Sequence, residues 1–184
     1  MTQRFGLPKW VFTDNPDDEF GESRLQVDVG QTGFFKGREL RTFHEFSLTS
    51  GQTKIIKAVA SVDTIVQRFE VDLWTAEMRV ELITGGTEGG TFSTALPILP
   101  CNGLNQSYTS QVTMNTGGTH TGGTVQDMFQ LYAVHGNKGS AVDGTAENLL
   151  GFPAGTFYVK LTNINSIAAT GVFKARWEER PEGV

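Results

Sequence analysis

The sequence predicts an all-β protein: a β-sandwich or jelly roll of about eight to ten short antiparallel strands, preceded by an extended N-terminal arm. Three observations carry this. Apolar and polar residues alternate with a period of two in one short segment after another. Glycine and threonine number 22 each in 184 residues, about 12% apiece, marking turns and strands respectively. No segment has the 3.6-residue apolar stripe of a useful amphipathic helix.

The elements follow in order. Residues 1–23 form the arm, and residues 24–184 the sandwich domain. The arm carries Pro8 and Pro16 and the acidic groups Asp14, Asp17, Asp18, Glu19 and Glu22, yet interleaves them with Phe5, Leu7, Trp10, Val11, Phe12 and Phe20. So many large apolar groups imply that it lies on a surface, either a neighbour's or that of its own domain.

Clean alternation begins at 24–29 and returns at 40–48. A turn at 49–52 leads to a strand at 53–60. Residues 64–73 place Ile65, Gln67, Phe69, Val71 and Leu73 on one face. In 77–83, Met78, Val80 and Leu82 oppose Glu77, Arg79 and Glu81. Further strands are expected at 111–115, 126–134, 156–162 and 172–178, and one helical turn at 147–150. The expected core includes Val27, Phe46, Val80, Leu82, Phe157, Val159, Leu161 and Phe173. Two glycine-rich stretches, 84–91 and 116–124, contain Gly-Gly-Thr four times and read as flexible hairpin tips. Within them Thr119 and His120 are candidates for contact with a partner.

Charge and composition exclude several functions. The formal net charge is −5, with pI ≈ 5.2, which opposes binding to nucleic acid or to an anionic membrane. No apolar run reaches the roughly 18–20 residues of a membrane span, and the first residues lack the apolar core of a secretory signal. Synthesis and folding in a reducing cytoplasm are therefore expected. A single cysteine, Cys101, permits no intramolecular disulfide and no thiolate zinc cage.

Catalytic chemistry finds no foothold. His44, His120 and His135 are too far apart in sequence for a paired metal motif. No serine sits in a Gly-x-Ser-x-Gly elbow. Asp14, Asp17, Asp18 and Glu19 lack the spacing of a calcium loop. Glu178 and Glu179, adjacent in a strand, read as solvated surface rather than an acid/base pair. No enzymatic activity, cofactor or metal is expected.

The order of several segments resembles a known family. TFHEFSLTSGQT at 42–53 is followed by LITGGTEGGT at 82–91, QVTMNTGGTHTGGT at 111–124, FPAGTFYV at 152–159 and TGVFKARWEERP at 170–181. Over about residues 40–181 this is similar to small virion structural proteins of tailed bacteriophages. The resemblance implies a non-enzymatic role in the virion, assembled in the bacterial host cytoplasm. Its partners would be other virion proteins, either the major capsid protein or tail and portal components, with a homo-oligomer expected. Capsid decoration is the first expectation. A tail-associated role (sheath, adaptor, or fibre-attachment or host-binding module) is the second. A free carbohydrate-binding jelly roll stands as a third. Phe5, Leu7, Trp10, Phe12 and Phe20 of the arm, with Thr119 and His120, are the expected partner-binding residues.

Overall fold

The computed structural model describes residues 12–13, 24–25, 32–133, 139–143 and 150–181. The chain divides into two compact units, Met1–Thr32 and Gly33–Val184. In the first, β1 (Phe12–Thr13) pairs antiparallel with β2 (Arg24–Leu25). The remainder of the expected 24–29 strand, Val27 included, lies outside the described residues, as do His135 and most of the arm.

The second unit begins one residue into a short helical turn, α1 (Thr32–Phe35), closed by Gly37 N–H donating to Phe34 O. All else described is strand and turn. In order come β3 (Glu39–Leu48), β4 (Thr53–Ala60), β5 (Asp63–Leu73), β6 (Glu77–Thr84), β7 (Thr87–Gly89), β8 (Thr94–Ala95) and β9 (Ile98–Pro100). They are followed by β10 (Val112–Thr116), β11 (Thr119–Thr121), β12 (Thr124–Tyr132), β13 (Gly139–Asp143), β14 (Leu150–Phe152), β15 (Gly155–Asn163) and β16 (Ala169–Arg180). Every ladder is antiparallel. The protein is all-β. Of the helical turn expected at 147–150, residues 147–149 are outside the described set and Leu150 instead begins β14.

Two sheets face each other. Sheet I runs β13-β5-β16-β3-β9, with β14 also on β5; sheet II runs β12-β6-β15-β4-β10-β8. The second unit is wound as one long hairpin. Its first strand pairs with its last (β3 with β16), then β4 with β15, β5 with β14 and β6 with β12, successive pairs falling in alternate sheets. Alternation makes this possible, because each strand turns one apolar row inward. Leu40, Phe46, Leu48, Val71, Leu73, Phe173 and Trp177 of sheet I pack in one cluster with Ile56, Met78, Val80, Leu131, Val159 and Leu161 of sheet II. Phe69 lies edge-on to Phe173 at 5.4 Å and to Phe129 of the other sheet at 5.8 Å. Of the expected core, Leu82 and Phe157 are only partly buried, packed against this cluster.

Two expectations need correction. In β5 the inward row is not continuous. Arg68 pairs with Arg176 but Val66 with Trp177, so Gln67 is an extra residue, and below that bulge Thr64 and Val66 face inward in place of Ile65. A one-residue insertion exchanges the two faces of a strand. Glu178 and Glu179 are not solvated. Both are buried, and Glu179 accepts bonds from Ser110 Oγ (2.7 Å), Trp177 Nε1 (3.1 Å), Tyr108 OH (2.9 Å) and the Gln111 N–H (2.8 Å). Four donors compensate the loss of water around this carboxylate, which anchors the 101–111 segment to β16.

Candidate interaction surfaces

The two glycine-rich stretches are not free tips. β7 and β11 pair with each other, His120 opposite Glu88, and sit against the outer side of sheet II. There Ile55, Ile83 and Tyr158 form a second apolar cluster, with Phe92 packed on it. The His120 ring stacks on Tyr158 at 3.9 Å and 24°. Its Nε2 lies 2.7 Å from Gly85 O, and a carbonyl only accepts, so Nε2 carries a proton; Nδ1 is buried with no hydrogen-bond partner. Tyr158 OH donates to Glu88 (2.5 Å), and Lys57 Nζ reaches the same carboxylate at 2.7 Å while lying over the Phe92 ring.

Burial, then the bond to Glu88, pushes the Tyr158 phenol up to about 12. The Lys57 and Tyr158 bonds hold the Glu88 carboxyl below its ordinary value. The glycines are required by close approach. At Gly86 (φ +90°) a Cβ would stand 2.5 Å from His120 Nε2, and at Gly118 one would stand 2.5 Å from the Phe92 ring. Of the expected contact residues here, Thr119 is exposed while His120 is only 7% exposed and turned inward. Sequence reading missed the pairing. Its one available signal was that both stretches repeat the same Gly-Gly-Thr unit on either side of a single titratable residue.

At the other end of β6, about 23 Å away at ~3.3 Å per residue, the chain makes a different surface. The loops after β3, after β5 and between β15 and β16 meet there, together with the residue that follows β12. Asn163, fully buried, holds them. Its backbone exchanges bonds with the 49–52 turn, through Gly51 N–H to Asn163 O (3.1 Å) and Asn163 N–H to Gln52 O (3.0 Å). Its side-chain amide donates to the carbonyls of Leu48, Thr49 and Ile167, and its Oδ1 accepts from Asn165 N–H. Trp74 N–H donates to Thr170 O, Thr75 Oγ1 donates to Ala168 O, and Ala133 N–H donates to Ala76 O. Ala76 holds a left-handed φ of 72° in this turn.

Four large apolar side chains project from this frame, Trp74 (44% exposed), Tyr132 (55%), Ile164 (39%) and Ile167 (53%), among exposed polar residues such as Ser50, Gln52, Thr75 and Ser166. No residue in 47–53, 73–76, 128–133 or 163–171 is charged.

The outer side of sheet I differs again. A groove of about 560 Å³ is lined by Phe34, Phe43, Leu99 and Val172 and rimmed by cations. Those cations are mostly paired: Arg176 with Glu39, Lys174 with Asp72, and Arg68 with Glu70 at 2.9 Å. Cys101, half-buried in the same wall, has its thiol pushed up by burial. His44 lies among the inward residues of β3; burial, then the Lys54 charge, holds its imidazole below the ordinary value. Between the sheets is a cavity of about 70 Å³ with an almost wholly apolar lining that includes Ile56, Val66, Phe129 and Phe157. Among the described residues no three His, Cys, Asp or Glu side chains are grouped to hold a metal, and no helix is long and apolar enough to cross a membrane. The acidic run at 14–22 lies outside them.

No family model and no curated protein matches this chain. Among solved structures, the 2.6 Å structure of Infectious Bursal Virus derived T=1 particles is 13% identical over 92% of this chain. This chain spans 44% of that one, and the TM-score is 0.16, too slight a likeness to bear on fold or function.

Proposed function

We propose that the protein is a non-enzymatic structural component of a bacteriophage virion, a decoration protein that binds the capsid surface in many copies. The observation that carries this reading is the surface held by Asn163: Trp74, Ile164 and Ile167 exposed on bonded loops beside Tyr132 at the end of β12. Exposed apolar groups on a rigid frame, depleted of charge, have the composition of a protein–protein contact. The resemblance of residues 40–181 to virion proteins of tailed phages supports the same reading. So does the all-β double-sheet architecture, a rigid frame on which such contacts can be carried. The apolar residues of the arm, Phe5, Leu7, Trp10, Phe12 and Phe20, lie outside the described residues save for the backbone of Phe12, and in this proposal they add a second contact with the particle or with a neighbouring copy.

The test is subunit counting by quantitative mass spectrometry of purified particles. A copy number that follows the capsid lattice is the expected result. A number matching the symmetry of the tail would move the protein to a tail-associated position. Absence from washed particles would overturn the virion role itself.

A further inference from the structure

We propose that the cavity between the two sheets is a binding site for a small amphiphile, its hydrocarbon part inside and its cationic head at Asp127. The site shares no residue with the contact surfaces of the virion reading, so either assignment can fail alone.

Space and wall chemistry select hydrocarbon. Protein interiors are packed like organic crystals, with few voids larger than a water molecule. This cavity measures about 70 Å³, against the roughly 10–15 Å³ that one water needs. Among the described residues its wall includes the rings of Phe69, Phe129, Phe152, Phe157, Phe173 and Trp177. Water placed there would find almost no hydrogen-bond partner, whereas an alkyl chain loses nothing by entering. The wall reaches solvent: Leu82, Phe129, Phe152 and Phe157 are half-buried, and Phe152 of sheet I meets Phe157 of sheet II edge-on at 4.8 Å.

Asp127 selects the head group. It is the one charged residue among the described lining, and it is half-buried. The bulge at Gln126 sets Asp127 opposite Leu82, on the inward row of β12 with Phe129 and Leu131. Its Oδ1 accepts from Met128 N–H at 2.7 Å, and among the described residues no cation pairs with the carboxylate. A carboxylate bordering an apolar wall is compensated best by a cation whose own apolar part fills the adjoining space. An anionic head would be repelled, both by Asp127 and by a chain of net charge −5.

The experiment titrates the full chain, isotopically labelled, with n-butylamine, n-butanol and butyrate at neutral pH, and follows methyl NMR signals. Butylamine should shift Ile56, Val66 and Val159 saturably and leave Ile164 and Ile167 unmoved. Butanol should bind roughly tenfold more weakly, and butyrate not detectably. Asp127→Asn, which keeps an acceptor for the Met128 N–H, should lower butylamine to the affinity of butanol. Ala58→Leu, whose longer side chain enters the cavity, should abolish both without lowering the melting temperature. Unmoved cavity methyls in the wild type, or unchanged butylamine binding in a folded A58L, overturns the site. Equal binding of amine and alcohol, or an unchanged D127N, overturns the cationic head. The shift map and D127N decide the matter even where A58L does not fold.

Discussion

The two ends of β6 enclose polar groups to opposite effect. At the glycine clasp, Gly86 and Gly118 let two loops approach so closely that polar groups are enclosed: His120 against Tyr158, and Tyr158 and Lys57 on Glu88. At the other end, one enclosed amide, Asn163, satisfies the loop carbonyls and leaves the large apolar side chains outside. The clasp is complete within the molecule. The Asn163 end is rigid but leaves its apolar area in water, and the contrast shows that rigidity alone does not mark a contact surface; what is left exposed on the rigid frame does.

Substitutions can break this contrast at chosen points. The largest effect belongs to the wall both ends share. Phe173→Ala removes a buried ring that packs edge-on to Phe69, and should cost about 3–5 kcal/mol in denaturant unfolding. It should loosen both ends together. Next is Asn163→Ala, which leaves buried carbonyls of the two loops without donors and should cost about 1–3 kcal/mol. Faster amide exchange confined to 49–52 and 163–170, with the clasp unchanged, is the expected pattern; equal loosening at β7 and β11 would show that the ends are coupled.

Gly86→Ala does the reverse. A methyl at φ +90°, pressed on His120, should cost about 1–3 kcal/mol and raise exchange in β7 and β11 only. Smallest is a pH effect confined to the clasp. The Tyr158 phenol ionises near 12 in the native protein against an ordinary 10, so between those values the folded chain holds a proton that the unfolded chain has released. The clasp's contribution is therefore whole below pH 10 and declines as pH rises towards 12. A tyrosinate absorbance titration should show a late-ionising group that disappears in Tyr158→Phe.

Much of the strand framework could be read directly. β3, β6, β10, β12, β15 and β16 each appear as alternation, because a strand with one buried face writes that face into its own residues, while β4, with Ile55 and Ile56 buried on opposite faces, shows as a short apolar run between turns. The failures have specific causes. The Gln67 bulge slips the inward row of β5, and only the partner strand reveals it. Glu179 reads as surface because the donors that make its burial tolerable come from the 108–111 segment, some 70 residues earlier. The exposed apolar residues of the Asn163 end are ordinary singly and significant only together.

By itself, then, the sequence determined that this chain makes antiparallel sheets around an apolar core, since two-residue periodicity, turn residues and charge are local properties of the chain. Only the tertiary structure decided that two glycine stretches close on each other over Tyr158, and that Trp74, Tyr132, Ile164 and Ile167 share one end. Those pairings join residues far apart in the chain. Asn163 alone bonds to Leu48 across 115 positions, and no local pattern encodes which distant loop supplies a buried donor with its acceptor.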